Sequence, residues 1–360
     1  MSSGKGRMTD AQRMEALLNH QKPDRVPLWP FLYFGFAGVN TGYSIAEMYN
    51  NPQKSMEAER RTAEQYGWVF SPYLGYASYG GWEFGGEIKW PSGEFQQAPR
   101  ASRYPVETED DVWNLKLPDV KTSGFNPIRM EYAKLAAKEK LDNEPFNISV
   151  PIGEPFFIAA NISSVDKLCR WILKKPEVAH RLLRLATDHV LEVAQYWLET
   201  FGAEGVLARG SDPTSSNAVI SPKQFEEFAF PYFKEVHEKV LAMGYRHIYI
   251  HVCGEQNLNL SYWAQLPWGD PGIISIGHEV ELETAAKYFP NDIILGNIEP
   301  ALIQTSTPEQ VYQLTKEVIE KGKKCPGGFI LSPGCELPPM APRENVRMMT
   351  QAVNDFGWYE

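Results

Sequence analysis

The chain contains the stretch His247-Ile248-Tyr249-Ile250-His251-Val252-Cys253-Gly254, an apolar run of strand character that ends in a His-x-Cys pair. Because the residues of a strand alternate between its two faces, His251 and Cys253 point the same way. An imidazole and a soft thiolate on one face make half of a zinc site. A third partner, Cys335, follows the apolar run Phe329-Ile330-Leu331 far along the chain. The sequence therefore predicts a scaffold and a lid arranged around these three side chains.

Composition bounds the class of protein. The 360 residues are 43% hydrophobic and 22% charged, which is enough apolar material for a sizeable core. A formal net charge of -10 argues against nucleic acid or an anionic membrane as a partner. Neither a secretory h-region nor a membrane-spanning apolar run of about 18 residues is present, so we expect a cytoplasmic protein. In such a reducing compartment the 4 cysteines point to metal binding or catalysis rather than to disulfides.

Strand-like and helical segments alternate along most of the chain. Six β/α units follow one another after residue 121, and Val26–Phe31 and a segment within 67–90 supply two further strands. Eight such units favour an α/β fold of the (β/α)8 TIM-barrel type. An open doubly wound sheet is the less favoured alternative, because the sequence contains no glycine-rich loop that would mark a nucleotide site in such a sheet. We expect one domain over 1–360, with an N-terminal helical and aromatic-loop extension and lid over 1–120 and the main β/α units over 121–360.

Two parts of the N-terminal extension have a distinctive amino-acid composition. Residues 43–65 read as one helix, rich in Glu, Arg and Ala. Residues 68–90 are rich in glycine and aromatics and are interpreted either as a hydrophobic lid or as ordinary packing.

A barrel places its chemistry where strands end and helices begin. Polar side chains gather at these points, namely Glu154, Asp212, His251, Cys253, His278, Asn297, Glu299, Cys335 and Glu336. Each of Glu154, Asp212, Glu299 and Glu336 is a candidate for a fourth metal ligand, a general acid or a partner of the metal-bound histidine. The helix macrodipole also favours carboxylates at helix starts, so a capping role is the alternative for each. His278 is a candidate catalytic residue of the pocket, together with Glu154 and Asp212.

The metal hypothesis has its own alternative. Cysteine often packs as a small hydrophobic residue, so His251, Cys253 and Cys335 could be ordinary core residues. Structural zinc takes four protein ligands, whereas catalytic zinc keeps one position for water or substrate, and three ligands fit the second case. Cys169 lies within a predicted helix and Cys325 follows a lysine run, so neither is expected to bind the metal.

With these residues identified, the chain resembles the uroporphyrinogen decarboxylase superfamily over nearly its whole length, and within it the cobamide-dependent methyltransferases. The resemblance rests on these motifs in this order: Pro23-Asp24-Arg25-Val26-Pro27, Ser221-Pro222-Lys223-Gln224-Phe225, Pro231-Tyr232, His251-Val252-Cys253-Gly254, Gly296-Asn297-Ile298-Glu299-Pro300, Gly328 to Cys335, and Pro342-Arg343-Glu344-Asn345-Val346. It implies a distorted (β/α)8 barrel, in agreement with the strand count.

Two branches of that superfamily differ after the first strand. The decarboxylases carry an arginine-rich motif there that holds substrate carboxylates. This chain reads Trp29-Pro30-Phe31-Leu32-Tyr33-Phe34-Gly35-Phe36 at that place, with no arginine. Uroporphyrinogen decarboxylation is therefore disfavoured. The His-x-Cys…Cys pattern is the zinc signature of the methyltransferase branch, which implies that His251, Cys253 and Cys335 bind Zn²⁺.

The resemblance implies transfer of a methyl group between a small molecule and the cobalt of a corrinoid (cobalamin). No Asp-x-His-x-x-Gly motif is present, so the corrinoid is expected on a partner protein that docks at the barrel mouth, or free in solution. The aromatic segment 29–36 favours a methoxylated aromatic as methyl donor, in an O-demethylation. The alternatives are a methylcobalamin:thiol methyltransferase of the coenzyme M type and a non-catalytic barrel. The sequence leaves open the substrate, the direction of transfer and the oligomeric state.

Overall fold

A parallel sheet forms the centre of the computed structural model, which describes residues 7–32, 34–92, 98–139 and 145–360. The strands of the described residues are β1 (Glu87–Lys89), β2 (Arg100–Arg103), β3 (Ile148–Pro151), β4 (Val206–Asp212), β5 (Ile248–Val252), β6 (Ile273–Ile276), β7 (Ile293–Ile298) and β8 (Phe329–Pro333). The last six pair in chain order, each parallel to the next, whereas β1 and β2 form a separate antiparallel pair.

Helices follow every strand from β3 onward. They are α1 (Asp10–Leu18), α2 (Phe34–Thr41), α3 (Ile45–Asn50), α4 (Pro52–Tyr66), α5 (Glu109–Asn114), α6 (Asn126–Lys138), α7 (Pro155–Ser163), α8 (Val165–Lys174), α9 (Pro176–Phe201), α10 (Pro222–Phe228), α11 (Phe230–Ala242), α12 (Leu260–Trp263), α13 (Leu282–Tyr288), α14 (Pro300–Thr305), α15 (Pro308–Gly322) and α16 (Arg343–Phe356). This confirms the predicted β/α alternation. No helix in the described part of the chain is both long and apolar enough to cross a membrane.

The remaining wall of the barrel is irregular. Leu28 forms a parallel bridge to Leu331 of β8, and the amide of Val69 donates to the carbonyl of Leu28 at 2.9 Å. The two segments predicted as strands therefore lie where the barrel requires them, but neither builds a regular ladder there. Pro27 and Pro30 lack the N–H group that a ladder needs, which accounts for the distortion.

The two faces of the sheet belong to different apolar clusters. The inner cluster is Met14, Leu17, Leu18, Trp29, Val69, Phe146, Leu207, Tyr249, Ile273, Ile293, Leu295 and Ile330. Alternate residues of the same strands, such as Ile248 and Ile250, belong to the cluster that packs against the helices. His251 and Cys253 share the parity of Tyr249 and therefore face the interior of the barrel.

The single helix predicted over 43–65 is wrong. The structure has two helices there, α3 ending at Asn50 and α4 beginning at Pro52. The break has a local cause, because the ring of Pro52 disfavours helical conformation at Asn51. Asn51 is instead extended, with φ -138° and ψ 96°, and its side chain accepts a hydrogen bond from the amide of Lys54 as the cap of α4.

Candidate metal and catalytic site

Three potential ligand atoms meet at the carboxyl end of the barrel. Those of His251, Cys253 and Cys335 all lie within 4.8 Å of one another. The two sulfur atoms are 4.0 Å apart. Tetrahedral zinc with Zn–S bonds of about 2.3 Å would separate two thiolates by about 3.8 Å. The spacing therefore suits a metal held between the sulfur atoms, and no Asp or Glu in the described residues joins this cluster.

The orientation of His251 is set by its neighbour on β6. Its Nδ1 lies 2.9 Å from Oγ of Ser275, the residue directly opposite it in the ladder. Its Nε2 is buried and has no hydrogen-bond partner in the described residues. A hydrogen bond at one ring nitrogen that leaves the other available is the usual arrangement around a metal-binding histidine. The orphaned Nε2 therefore fits a metal.

The thiols of Cys253 and Cys335 interact with one another. The hydrogen bond from Cys253 holds the pKa of the Cys335 thiol below its usual range, and His251 acts in the same direction. The same bond and burial raise the pKa of the Cys253 thiol. A thiolate is the form that binds metals, so Cys335 is prepared for a ligand role.

The backbone of Phe31 fixes the loop that carries Cys335. The Phe31 amide donates to Oγ of Ser332 at 3.0 Å, and its carbonyl accepts from the amide of Leu337 at 3.0 Å. Gly334 adds a close approach, because a Cβ at this position would lie 2.8 Å from the backbone nitrogen of His278. The loop is therefore held on both sides of the ligand.

Phe31 of the aromatic segment 29–36 lies directly at the cluster. The ring of Phe31 is 4.6 Å from the imidazole of His251, with an interplanar angle of 31°. Phe31 and Tyr73 form an apolar cluster against which Cys335 packs. These rings limit access of water to the candidate ligands. Tyr33 of this segment, and residues 93–97 of the predicted lid, lie outside the described residues.

Glu154 does not approach the three candidate ligands. It is fully buried, and its Oε1 lies 2.9 Å from Nε2 of His237 on α11. His237 is anchored in turn through Nδ1 to the carbonyl of Pro267 at 2.9 Å. The other carboxylate oxygen of Glu154, Oε2, is buried and has no hydrogen-bond partner among the described residues, and Glu154 contributes no ligand atom to the cluster.

Asp212 likewise contributes no ligand atom to the cluster, although its charge is among the causes that raise the pKa of Cys253. Its carboxylate accepts hydrogen bonds from the amides of Thr214 and Ser215 at 3.2 and 3.3 Å, and from the Ser215 hydroxyl. Burial raises the pKa of Asp212 to about 7, and the charge of Glu154 adds to this effect. Its backbone carbonyl accepts from the amide of Cys253 at 3.3 Å. Asp212 thus supports the loop beside the cluster rather than contributing a ligand atom.

The remaining predicted residues lie at the rim. Glu299 occupies the N-cap position of α14 without capping it, half-buried and outside the cluster. The side chain of His278 is 39% exposed, with Nδ1 3.5 Å from the carboxylate of Glu279. Sequence reasoning missed Ser275 and Phe31. Ser275 could have been found from the sequence, because it is the inward-facing polar residue of β6, the strand that follows the one carrying His251.

Comparisons with known proteins agree with this architecture. The sequence profile of the family described as Uroporphyrinogen decarboxylase (URO-D) matches residues 9–356. The methylcobamide:CoM methyltransferase MtbA of Methanosarcina acetivorans is 28% identical over 274 residues, which cover 76% of each chain. The methylcobamide:CoM methyltransferase MtaA of Methanosarcina barkeri is 25% identical over 352 residues, covering 96% of this chain and 97% of the relative. A solved methyltransferase from Methanosarcina mazei shares the fold, with a TM-score of 0.81 at 21% identity, covering 97% and 99% of the two chains.

Proposed function

Because the chain belongs to the uroporphyrinogen decarboxylase family, in its branch of cobamide-dependent methyltransferases, we propose that it transfers a methyl group from the cobalt of a corrinoid to a small thiol. Zinc bound by His251, Cys253 and Cys335 is part of this proposal. The observation that carries it is the cluster of two sulfur atoms 4.0 Å apart beside an orphaned imidazole nitrogen at the barrel mouth.

Each of the three residues has a distinct part. His251 would offer Nε2, because Nδ1 is engaged by Ser275. Cys253 and Cys335 would both bind as thiolates, and their protons would be released on binding. The metal supplies Lewis acidity that lowers the pKa of a substrate thiol. The fourth coordination position is left for that substrate, since no carboxylate in the described residues reaches the cluster.

The surrounding side chains pack around the candidate ligands and exclude water from them. Phe31 covers the imidazole, and Tyr73 packs with Phe31 next to Cys335. Exclusion of water favours transfer to sulfur over side reactions. The corrinoid has to approach the mouth of the barrel from outside, so we place the docking site of its carrier protein on the loops that follow β5 to β8.

A thiol acceptor takes precedence over a methoxylated aromatic donor. The relatives MtbA and MtaA are both named as methylcobamide:CoM methyltransferases, which are enzymes with a thiol substrate. The preference for O-demethylation came from the apolar character of segment 29–36 alone. That segment now has a structural role, since the backbone of Phe31 fixes the Cys335 loop.

The test is a methyl-transfer assay with purified, zinc-loaded protein and methylcobalamin. We expect cob(I)alamin to appear, followed by its absorbance, on addition of 2-mercaptoethanesulfonate. Cys335→Ser should abolish the reaction. Cys325→Ser is the matched control, because Cys325 is a buried cysteine remote from the cluster, and it should keep full activity. Full activity and full zinc content in Cys335→Ser would refute the ligand assignment.

O-demethylation remains a second candidate because an aromatic ring lies 4.6 Å from the imidazole of His251. Its test runs in the opposite direction, with cob(I)alamin and a set of methoxybenzoates. Formation of methylcobalamin from these ethers, together with no reaction of thiols, would replace the thiol proposal by this one.

A further inference from the structure

Arg209 of β4 is a buried cation in the core of the barrel. It has the parity of Leu207, which belongs to the inner apolar cluster, and it lies opposite Tyr249 in the ladder between β4 and β5. The residue is only 2% exposed. Barrel interiors are normally filled by branched apolar side chains, and burial of a charge is costly. A guanidinium in this layer therefore points to a role that an apolar side chain could not fill.

Three aromatic rings lie around the guanidinium. Its central carbon is 4.4 Å from the ring centroid of Tyr73, 4.8 Å from that of Tyr249 and 5.2 Å from that of Trp29. Nη1 also donates to the carbonyl of Ser71 at 3.5 Å. Cation–π contacts are strongest when the cation is desolvated, so this arrangement holds the guanidinium in one place.

The space beside Arg209 does not suit a ligand. The cavity that it lines together with Trp29, Glu59 and Ser71 has a volume of about 20 Å³, which accommodates a water molecule but no larger group. Glu59 does not provide a full counter-charge, because burial raises its pKa to about 8 against the effect of Arg209. The role of the cation is therefore to be sought in the side chains that it contacts.

One of these contacts leads to the candidate metal ligand His251. The hydroxyl of Tyr249 is hydrogen-bonded to Arg209 and to Ser275. Oγ of Ser275 in turn lies 2.9 Å from Nδ1 of His251. Tyr249 precedes His251 by two residues on β5 and Ser275 lies directly opposite His251 on β6, so these side chains share the interior of the barrel. Arg209, Tyr249 and Ser275 thus form a continuous chain that ends at the imidazole.

The cation sets the direction of this chain. A guanidinium has only donors, so the oxygen of Tyr249 accepts from Arg209. Burial raises the pKa of Tyr249, while Arg209 and Ser275 both act to lower it, as hydrogen-bond donors do. A serine hydroxyl has a single proton, and once this proton is donated to Tyr249, Ser275 can only accept from Nδ1 of His251. The proton of the neutral imidazole then stays on Nδ1, and Nε2 keeps its lone pair for a metal.

We propose that Arg209 is a positioning residue of the metal centre, which acts through Tyr249 and Ser275 to hold His251 in the tautomer that offers Nε2. This inference rests on the proposed function, because it requires a metal at the candidate ligands. It adds a cation of the barrel core to the determinants of metal affinity, although that cation contacts none of the three candidate ligand atoms.

The affinity for zinc, measured by competition with a chromogenic chelator, tests this chain. Tyr249→Phe removes one hydroxyl and keeps the ring, so the packing and the cation–π contact persist. We expect the affinity to fall about three- to tenfold, as for the loss of one hydrogen bond. Arg209→Met should have an effect of similar size, and Tyr249→Phe keeps the test decisive if Arg209→Met does not fold. The double variant should lose little more affinity than either single variant, because both changes break the same chain.

Cobalt substitution gives a second readout, which a purely structural role would not change. The visible spectrum of Co²⁺ bound at the cluster reports the geometry of its ligands, and Tyr249→Phe should shift these bands. Tyr245→Phe is the matched control and should leave both the spectrum and the affinity for zinc unchanged. Tyr245 is buried as well, but its hydroxyl donates to the carbonyl of Ala194 on α9 at 2.9 Å.

Failure of this inference and failure of the proposed function give different results. Wild-type affinity for zinc in both Tyr249→Phe and Arg209→Met overturns the positioning chain, and so do fully additive losses in the double variant. A wild-type protein that binds zinc but transfers no methyl group to a thiol refutes only the proposed reaction. A wild-type protein that binds no zinc refutes both.

Discussion

His251 can reach a metal through one ring nitrogen because Ser275 engages the other at 2.9 Å. Ser275→Ala removes the acceptor that fixes the ring and its tautomer. We expect the affinity for zinc to fall about 10- to 100-fold, the range typical of lost outer-shell hydrogen bonds. A competition titration against a chromogenic chelator measures this directly.

The control for that variant is Ser163→Ala. Ser163 is also buried, but its hydroxyl donates to the carbonyl of Ala159 within α7, away from the cluster. It should bind zinc as the wild type does. Equal affinities in all three proteins would mean that Ser275 does not orient the ligand.

Glu59 of α4 makes the free energy of unfolding depend on pH. Burial raises the pKa of Glu59 from 4.5 to about 8, and its Oε2 accepts a hydrogen bond from Tyr132. Between these pH values the folded protein holds a proton that the unfolded chain has released. The free energy of unfolding therefore falls as pH rises from 4.5 to 8, by up to about 1.4 kcal/mol per pH unit.

Glu59→Gln should remove this part of the pH dependence. Urea unfolding at several pH values between 5 and 8 should show little change at the acidic end and a variant more stable than wild type at the alkaline end. Glu57→Gln is the control, since Glu57 is an exposed carboxylate of the same helix and should not alter the slope. Parallel curves for wild type and Glu59→Gln would contradict the buried proton.

At the level of elements, the conformation of the loop after β8 requires a glycine at position 334. A Cβ at Gly334 would lie 2.8 Å from the backbone nitrogen of His278, closer than real contacts allow. Gly334→Ala should displace Cys335 and weaken zinc binding at least about tenfold, because a catalytic constellation tolerates only small shifts. Met340→Ala, at an exposed position of the same loop, should bind zinc normally. Unchanged zinc affinity in Gly334→Ala would show that the loop adapts.

Strand alternation explains which site residues the sequence could predict. His251 and Cys253 lie two residues apart, so their shared inward face followed from the pattern. Asp212 has the parity of Ala208, which packs outward with the helices, and Glu154 has that of Ile152. The same rule applied to these two carboxylates would have placed them outside the barrel.

For the whole molecule, the repeated β/α pattern determined most of the fold. Six apolar strands with following helices leave few topologies open, and right-handed crossovers select the barrel. The closing segments were harder to predict, because Pro27 and Pro30 prevent a regular ladder and Val69 contributes a single backbone bond to Leu28. The site inherits this irregularity, since Phe31 of the same segment packs against His251.

Removal of the metal distinguishes a catalytic centre from a structural one. The sheet β3 to β8 and the inner apolar cluster form without any contribution from Cys253 or Cys335. Chelation should therefore leave a folded, inactive protein whose circular dichroism matches the loaded form. Zinc at about 100 times its Kd should add about 2.7 kcal/mol to the free energy of unfolding, a shift of several degrees in Tm. Cys253→Ala and Cys335→Ala should fold, lose activity and lose that zinc-dependent shift. Loss of solubility or of cooperative unfolding in both variants would instead identify a structural metal, and the chain would then be a barrel without the proposed chemistry.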